Sequence, residues 1–142
     1  MPVDRVLILD DREDYLRALQ AALRKDFDVV CATSVDEAIG RLDASVQVAL
    51  VDVRLSELDP DNRNGLRFLD HLKRLYPDTP VIMMSAYRDV DGLGTLDAGA
   101  NYFMRKPIDL RELRSLLRDF AQKGAMPERT AELRKALSGG DE

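Results

Sequence analysis

Val48-Ala49-Leu50-Val51-Asp52-Val53-Arg54 is the stretch whose reading decides the fold. An apolar run ends abruptly in one carboxylate, and polar, loop-like sequence follows. A run this short and this apolar predicts a strand buried on both faces of a parallel sheet. An Asp at its C-terminal end stands where open α/β sheets present their ligands. Asp also suits the turn that follows such a strand, so Asp52 alone leaves both roles open.

Working outward, strands and helices alternate strictly. Val6-Leu7-Ile8-Leu9 reads as a buried strand that stops at Asp10-Asp11. Tyr15, Leu16, Leu19, Ala22 and Leu23 recur at helical spacing and predict a first helix over roughly 12–25. Phe27 to Ala32 is the second strand, with Cys31 expected as a small buried hydrophobe. Ser34-Val35-Asp36-Glu37 has the form of a capping box, and Val35, Ala38, Ile39 and Leu42 supply the buried face of the helix it starts. Beyond Asp52, the segment 55–64 is a polar loop with Asp59-Pro60-Asp61-Asn62 as turn chemistry. Gly65 precedes a helix with Leu66, Leu69, Leu72 and Leu75 on one face. Pro80 to Met84 is a fourth strand ending at Ser85, and Ala100 to Met104 a fifth, followed by Arg105-Lys106-Pro107.

Between the last two strands, 89–98 reads as a helix weakened by Gly92 and Gly94, each costing ~1 kcal/mol in a helix interior. Asp109 caps a final helix whose buried face is Leu113, Leu116, Leu117 and Phe120, with Ile108 stapled against Leu113. The result is a single (βα)5 α/β domain with a doubly wound parallel sheet, for which the flavodoxin-like strand order 2-1-3-4-5 is the expectation. Residues 1–121 form the expected domain. Residues 122–142 are a linker and tail, with a short helix from Glu128 to Leu137 anchored only by Leu133 and Leu137, and disorder from Ser138 onward.

Composition narrows the function classes. A net charge of −5 disfavours a nucleic-acid-binding surface. One cysteine makes no disulfide framework, no apolar run approaches membrane-spanning length, and charged residues follow the N-terminus at once. A cytoplasmic protein is the expectation. His71, between apolar positions on the third helix, is assigned no role.

The ends of strands one, three, four and five carry Asp10/Asp11, Asp52, Ser85 and Lys106, and in a doubly wound fold these ends converge on one crevice. Two carboxylates at 4 Å repel by ~4 kcal/mol at an effective dielectric near 20. A divalent cation with oxygen ligands relieves that repulsion, and Mg2+ takes carboxylates, waters and phosphate oxygens. Lys106 offers a point charge for a phosphate oxygen, and Ser85 a hydroxyl. The set reads as a phosphoryl-handling site with a carboxylate able to attack phosphorus. Each residue also has a bland role: Asp10 and Asp11 as helix caps, Ser85 as a turn residue, Lys106 as a solvated charge, Phe103 as core.

Asp10-Asp11, Asp52, Ser85-Ala86 and Lys106-Pro107, in this order and at these element ends, resemble the receiver domain of bacterial two-component response regulators over residues 3 to about 121. The resemblance implies that Asp52 is the phosphoacceptor, charged by a histidine kinase, a phosphotransfer protein or a small phosphodonor. It implies Mg2+ (or Mn2+) held by Asp11, Asp10, Asp52 and the backbone carbonyl of Arg54. Ser85 and Lys106 would meet the phosphoryl group, Phe103 would stand at the aromatic switch position, and the Lys106–Pro107 bond would be cis. Arg54 and Tyr87 would overhang the site and tune water access. The fourth helix, fifth strand and fifth helix would form the face read by an effector protein or output domain, with homodimerisation through that face left open.

Two departures stand out. Gly65 follows Asp52 by thirteen positions, about five more than is usual in the family, and the added loop carries Glu57, Asp59 and Asp61. The expectation is an effect on partner access or phosphoryl lifetime. The segment from Ser85 to Gly99 is one residue short, so the fourth helix is expected to be short or mobile before phosphorylation. Alternative functions are a degenerate receiver that binds partners without phosphorylation and an aspartate-nucleophile phosphatase. The latter needs a second Asp where Arg54 stands.

Overall fold

Unbroken apolar runs and helical amphipathicity resolve into eleven elements in the computed structural model, which describes residues 3–56 and 58–139. They are β1 (Asp4–Leu9), α1 (Glu13–Leu23), β2 (Phe27–Ala32), α2 (Val35–Arg41), β3 (Val48–Asp52), α3 (Asn64–Leu75), β4 (Val81–Ser85), α4 (Gly92–Asp97), β5 (Tyr102–Arg105), α5 (Leu110–Lys123) and α6 (Pro127–Gly139). The five strands form one sheet in the order β2-β1-β3-β4-β5, all pairings parallel. This is the expected doubly wound architecture.

Alternate residues of the central strands feed two cores. Leu7, Leu9, Ala49, Val51 and Met83 face α2, α3 and α4, whereas Val6, Ile8, Val48, Leu50, Ile82 and Met84 face α1 and α5. All five residues of β3 are buried. The register places Leu9 beside Val51, Asp52 beside Met84 and Ser85 beside Arg105, so the strand ends carrying chemistry lie side by side.

Caps fall where the sequence puts them, with one shift. Ser34 Oγ accepts from Glu37 N at 3.1 Å, but Glu37 Oε1 reaches back to Thr33 N rather than to the cap's own amide. Asp109 Oδ1 accepts from Arg111 N and Glu112 N.

Several expectations need correction. Leu75 is 56% exposed, because the buried face of α3 is centred on Phe68, Leu69 and Leu72 and leaves Leu75 at its margin. Ile39 is also exposed and borders a groove between α2 and α3. Cys31 is half-buried, since β2 is the sheet edge and is covered less completely. The fourth helix spans only Gly92–Asp97, with Asp89 to Asp91 in the preceding turn and Asp91 capping Leu93 N. Gly92 sits in the first turn rather than the helix interior, where a β-carbon would lie 2.9 Å from Phe103 Cδ2. The expected stretch of disorder from Ser138 overlaps α6, which continues through Gly139; positions 140–142 lie outside the described residues.

α6 folds back onto α4. Leu133 packs on the core cluster that includes Phe103, Thr130 Oγ1 donates to the Asn101 carbonyl at 2.6 Å, and Arg134 pairs with Asp97 at 2.5 Å. Among the described residues no helix is long and apolar enough to cross a membrane.

Candidate functional site

Four strand ends build the site. After β1, the Asp10 amide donates to the Ala32 carbonyl at 3.1 Å, which extends the sheet by one rung and holds the Asp10 carboxyl fully buried. Asp11, next in sequence, is partly exposed. β3 ends in Asp52, whose Oδ1 accepts from Arg54 N at 3.2 Å. β4 ends in the fully buried Ser85, whose Oγ accepts from Tyr87 N at 3.0 Å. Lys106 N donates to the Ser85 carbonyl at 2.8 Å, which fixes where the lysine leaves β5. The Lys106–Pro107 bond is cis.

The lysine joins the two buried acids. Lys106 Nζ lies 2.8 Å from Asp10 Oδ2 and 2.9 Å from Asp52 Oδ2, with the Tyr15 ring 4.5 Å away. Asp10, Asp11 and Asp52 each offer a carboxylate oxygen within 4.8 Å of the others. Three carboxylates thus face one ammonium. Burial pushes Asp52 up to about 6; Lys106 opposes this push and the Asp10 charge adds to it. Burial works against the Lys106 ammonium, but Asp52 and Asp10 outweigh it and hold its pKa above the ordinary value. A cluster of hard oxygen donors with excess negative charge is a donor set for a divalent cation.

Asp11 and Asp52 open onto a cavity of about 310 Å3, lined also by Tyr15, Arg54, Tyr87 and Lys106 among others, with Asp10 buried behind it. The Arg54 guanidinium stacks over the Tyr87 ring at 3.9 Å, so the two residues form one rim of the opening. Arg105 Nη1 donates to the Tyr87 carbonyl at 2.6 Å and holds that rim to the end of β5.

The structure therefore brings together Asp10, Asp11, Asp52, Arg54, Ser85, Tyr87 and Lys106. Phe103 stands apart, on the opposite face of the sheet beneath α4. Asp59 and Asp61 are exposed and do not line the cavity. Glu57 lies outside the described residues. Sequence reasoning missed Tyr15 as a site residue: Asp11 precedes α1, which starts at Glu13, so no helical spacing ties the two together, and Tyr15 reads only as part of the apolar face of α1. It also missed Asn101, whose Oδ1 accepts from Val81 N at 2.9 Å and Lys73 Nζ at 2.8 Å. No spacing rule marks that contact between elements.

Fold and site together define an open, doubly wound α/β domain with an acidic, lysine-bearing crevice at its strand ends. The response regulator receiver domain family matches residues 6–118, and the chain belongs to that family. It is a regulatory domain whose general function is that of a phosphorylation switch. It is 32% identical over 139 residues to the regulatory protein AtoC of Escherichia coli K12, covering 96% of this chain and 29% of AtoC. It is 36% identical over 120 residues to the response regulator protein PilR of Pseudomonas aeruginosa, covering 82% of this chain and 26% of PilR. The chain thus spans less than a third of the length of these relatives. A CheY-like receiver domain protein from Methanospirillum hungatei superposes with a TM-score of 0.74 at 25% identity, over 86% of this chain and 96% of that one. NtrX from Brucella abortus shares the fold over 96% of this chain and 30% of its own, with a TM-score of 0.75 at 21% identity.

Proposed function

We propose that Asp52 accepts a phosphoryl group from a histidine kinase, a phosphotransfer protein or a small phosphodonor. The observation that carries this reading is the position of Lys106 Nζ, shared between Asp10 Oδ2 and Asp52 Oδ2 beside the buried Ser85 hydroxyl. A carboxylate oxygen of Asp52 attacks phosphorus and forms an acyl phosphate. The bond from phosphorus to the donor's imidazole nitrogen, or to the oxygen of acetyl phosphate, breaks, and the leaving group departs with its electron pair. Lys106 then pairs with a phosphoryl oxygen, and the Ser85 hydroxyl donates to another.

Asp10, Asp11, Asp52 and the Arg54 carbonyl would hold Mg2+, or Mn2+ in its place. Bound there, the ion supplies charge neutralisation for the incoming phosphoryl group. Arg54 and Tyr87, stacked at the rim, limit the approach of water to the acyl phosphate. The domain catalyses only its own phosphorylation and dephosphorylation.

The switch domain is residues 1–121, and 122–142 connect it to what reads the signal. Phe103 under α4 links the site to the face formed by α4, β5 and α5, where an effector protein or an output domain docks. A homodimer through that face has to displace α6 or incorporate it, because α6 already packs on α4.

Intact-mass measurement after incubation with Mg2+ and acetyl phosphate tests the reading. One added phosphoryl group, absent from Asp52→Asn, is expected. An unmodified wild-type protein would contradict the proposal, and sustained turnover of a phosphomonoester would place the domain among phosphatases instead.

A further inference from the structure

The chain leaves Asp52, makes the excursion that the family resemblance marks as long, and returns at Gly65 against its own starting point. Gly65 N donates to the Val53 carbonyl at 3.0 Å, and a β-carbon at Gly65 would lie 1.9 Å from the Asp52 carbonyl oxygen. The two arms of the loop therefore touch directly behind the phosphoacceptor, and only a residue without a side chain fits there. Lengthening a loop is cheap in closure entropy, but a longer loop has more ways to misplace its ends.

One side chain closes the neck. Asn62 Oδ1 accepts from Leu55 N on the outgoing arm and from Asn64 N on the returning arm, each at 3.0 Å. Two backbone donors converging on one atom require the amide oxygen, not the nitrogen, at that point. Beyond the neck the excursion closes on itself: Asn62 N donates to the Asp59 carbonyl at 3.1 Å and Asp61 N to Asp59 Oδ1 at 3.0 Å. Leu58, at its tip, is 96% exposed. Inside the neck, Leu55 packs on the core.

The bond to Leu55 N has a stereochemical consequence. In a planar trans peptide the N–H and the preceding C=O point in opposite directions. Fixing the Leu55 N–H on Asn62 therefore turns the Arg54 carbonyl away from Asn62. At the other end of the same residue, the Arg54 N–H is held by Asp52 Oδ1. Both peptide planes flanking Arg54 are thus tied down, one by the phosphoacceptor and one by Asn62.

We infer that Asn62 is a positioning residue: it clamps the elongated loop and sets the orientation of the Arg54 carbonyl as a metal ligand. The inference rests on the proposed metal site and assigns the added loop its own fastening. Partners that orient metal ligands typically matter at the level of 10–100-fold in metal affinity.

The test is Mn2+ binding to the unphosphorylated protein, followed by electron paramagnetic resonance, with hydrogen exchange at the Leu55 and Asn64 amides read in parallel. Asn62→Ala is expected to weaken Mn2+ binding about tenfold and to speed both amides. Asn62→Asp, which keeps an acceptor oxygen in place, is expected to restore slow exchange and bring binding within about threefold of wild type. Leu58→Ser, outside the neck, is expected to leave binding unchanged. Should Asn62→Ala not fold, Asn62→Gln displaces the acceptor by one methylene and carries the same expectation. Unchanged Mn2+ affinity in Asn62→Ala, with wild type binding normally, overturns the clamp but leaves the site standing. A wild type that binds no Mn2+ overturns the metal site itself.

Discussion

Gly92 lies directly over the ring of Phe103: a β-carbon at position 92 would stand 2.9 Å from Phe103 Cδ2 and 3.1 Å from Leu137 Cδ1. Three elements, α4, β5 and α6, meet at this one glycine. A side chain there must displace the ring or the leucine. Gly92→Ala is expected to destabilise the fold by about 1–2 kcal/mol, despite the better helix propensity of Ala. Urea unfolding monitored by circular dichroism checks this, and an Ala variant as stable as wild type would mean that the contact is loose.

α6 is expected to hold α4 in place. α4 has only six residues, too few to be stable alone, and its neighbours include Leu133 and the Arg134–Asp97 pair. Ending the chain after Lys123 is expected to speed amide exchange in 92–97 at least about tenfold, while α1 and α3 keep their protection. Phosphorylation of the full chain is expected to change exchange in the same segment. Arg134→Ala alone, an exposed pair, is expected to cost less than about 1 kcal/mol.

The acid cluster carries a pH signature in metal-free protein. Asp52 has a folded pKa of about 6 against an ordinary value of 3.8. The folded state therefore binds more protons than the unfolded state in this window, and stability falls as pH rises from about 4 through about 6. Asp52→Asn, which cannot ionise, is expected to remove this loss and to be more stable than wild type at pH 7.5 by on the order of 1–3 kcal/mol. At pH 4 the two are expected to converge. Unfolding in chelator at both pH values measures the difference, and a variant less stable than wild type at pH 7.5 would reverse the sign.

Lys106 is the counter-charge for both buried acids. Lys106→Met leaves Asp10 and Asp52 facing each other and is expected to cost about 3 kcal/mol in chelator. Adding Asp52→Asn to that variant is expected to recover part of the loss, because one of the two repelling carboxylates is gone. Thermal melts of the four members of this cycle give the coupling, and independent effects would mean that Lys106 does not hold the two acids together.

Most of this fold is legible in the sequence because β1, β3 and β4 are buried on both faces and read as unbroken apolar runs, while α1 and α5 show clean helical spacing. Much of the candidate site is legible for the same reason: apolar sequence breaks off at strand ends in Asp10, Asp52 and Ser85, and Lys106 follows the end of β5, whereas Tyr15 sits within α1 and carries no such mark. Margins are harder. Ile39 and Leu75 match the helical period yet lie exposed, because periodicity marks a face and not the extent of its cover. The roles of Asn62 and Asn101 depend on chain segments that meet only in three dimensions, and no spacing announces them. Gly92 reads as a weak helix position until Phe103 is seen beneath it.

Borohydride reduction of the acetyl phosphate-treated protein, followed by peptide mass mapping, tests the central claim most directly. Borohydride converts an acyl phosphate to an alcohol and leaves free carboxylates alone. The expected result is a reduced side chain at Asp52, with Asp10 and Asp11 unmodified. Reduction at either of those residues, or a phosphate ester found on Ser85 in its place, would contradict the account.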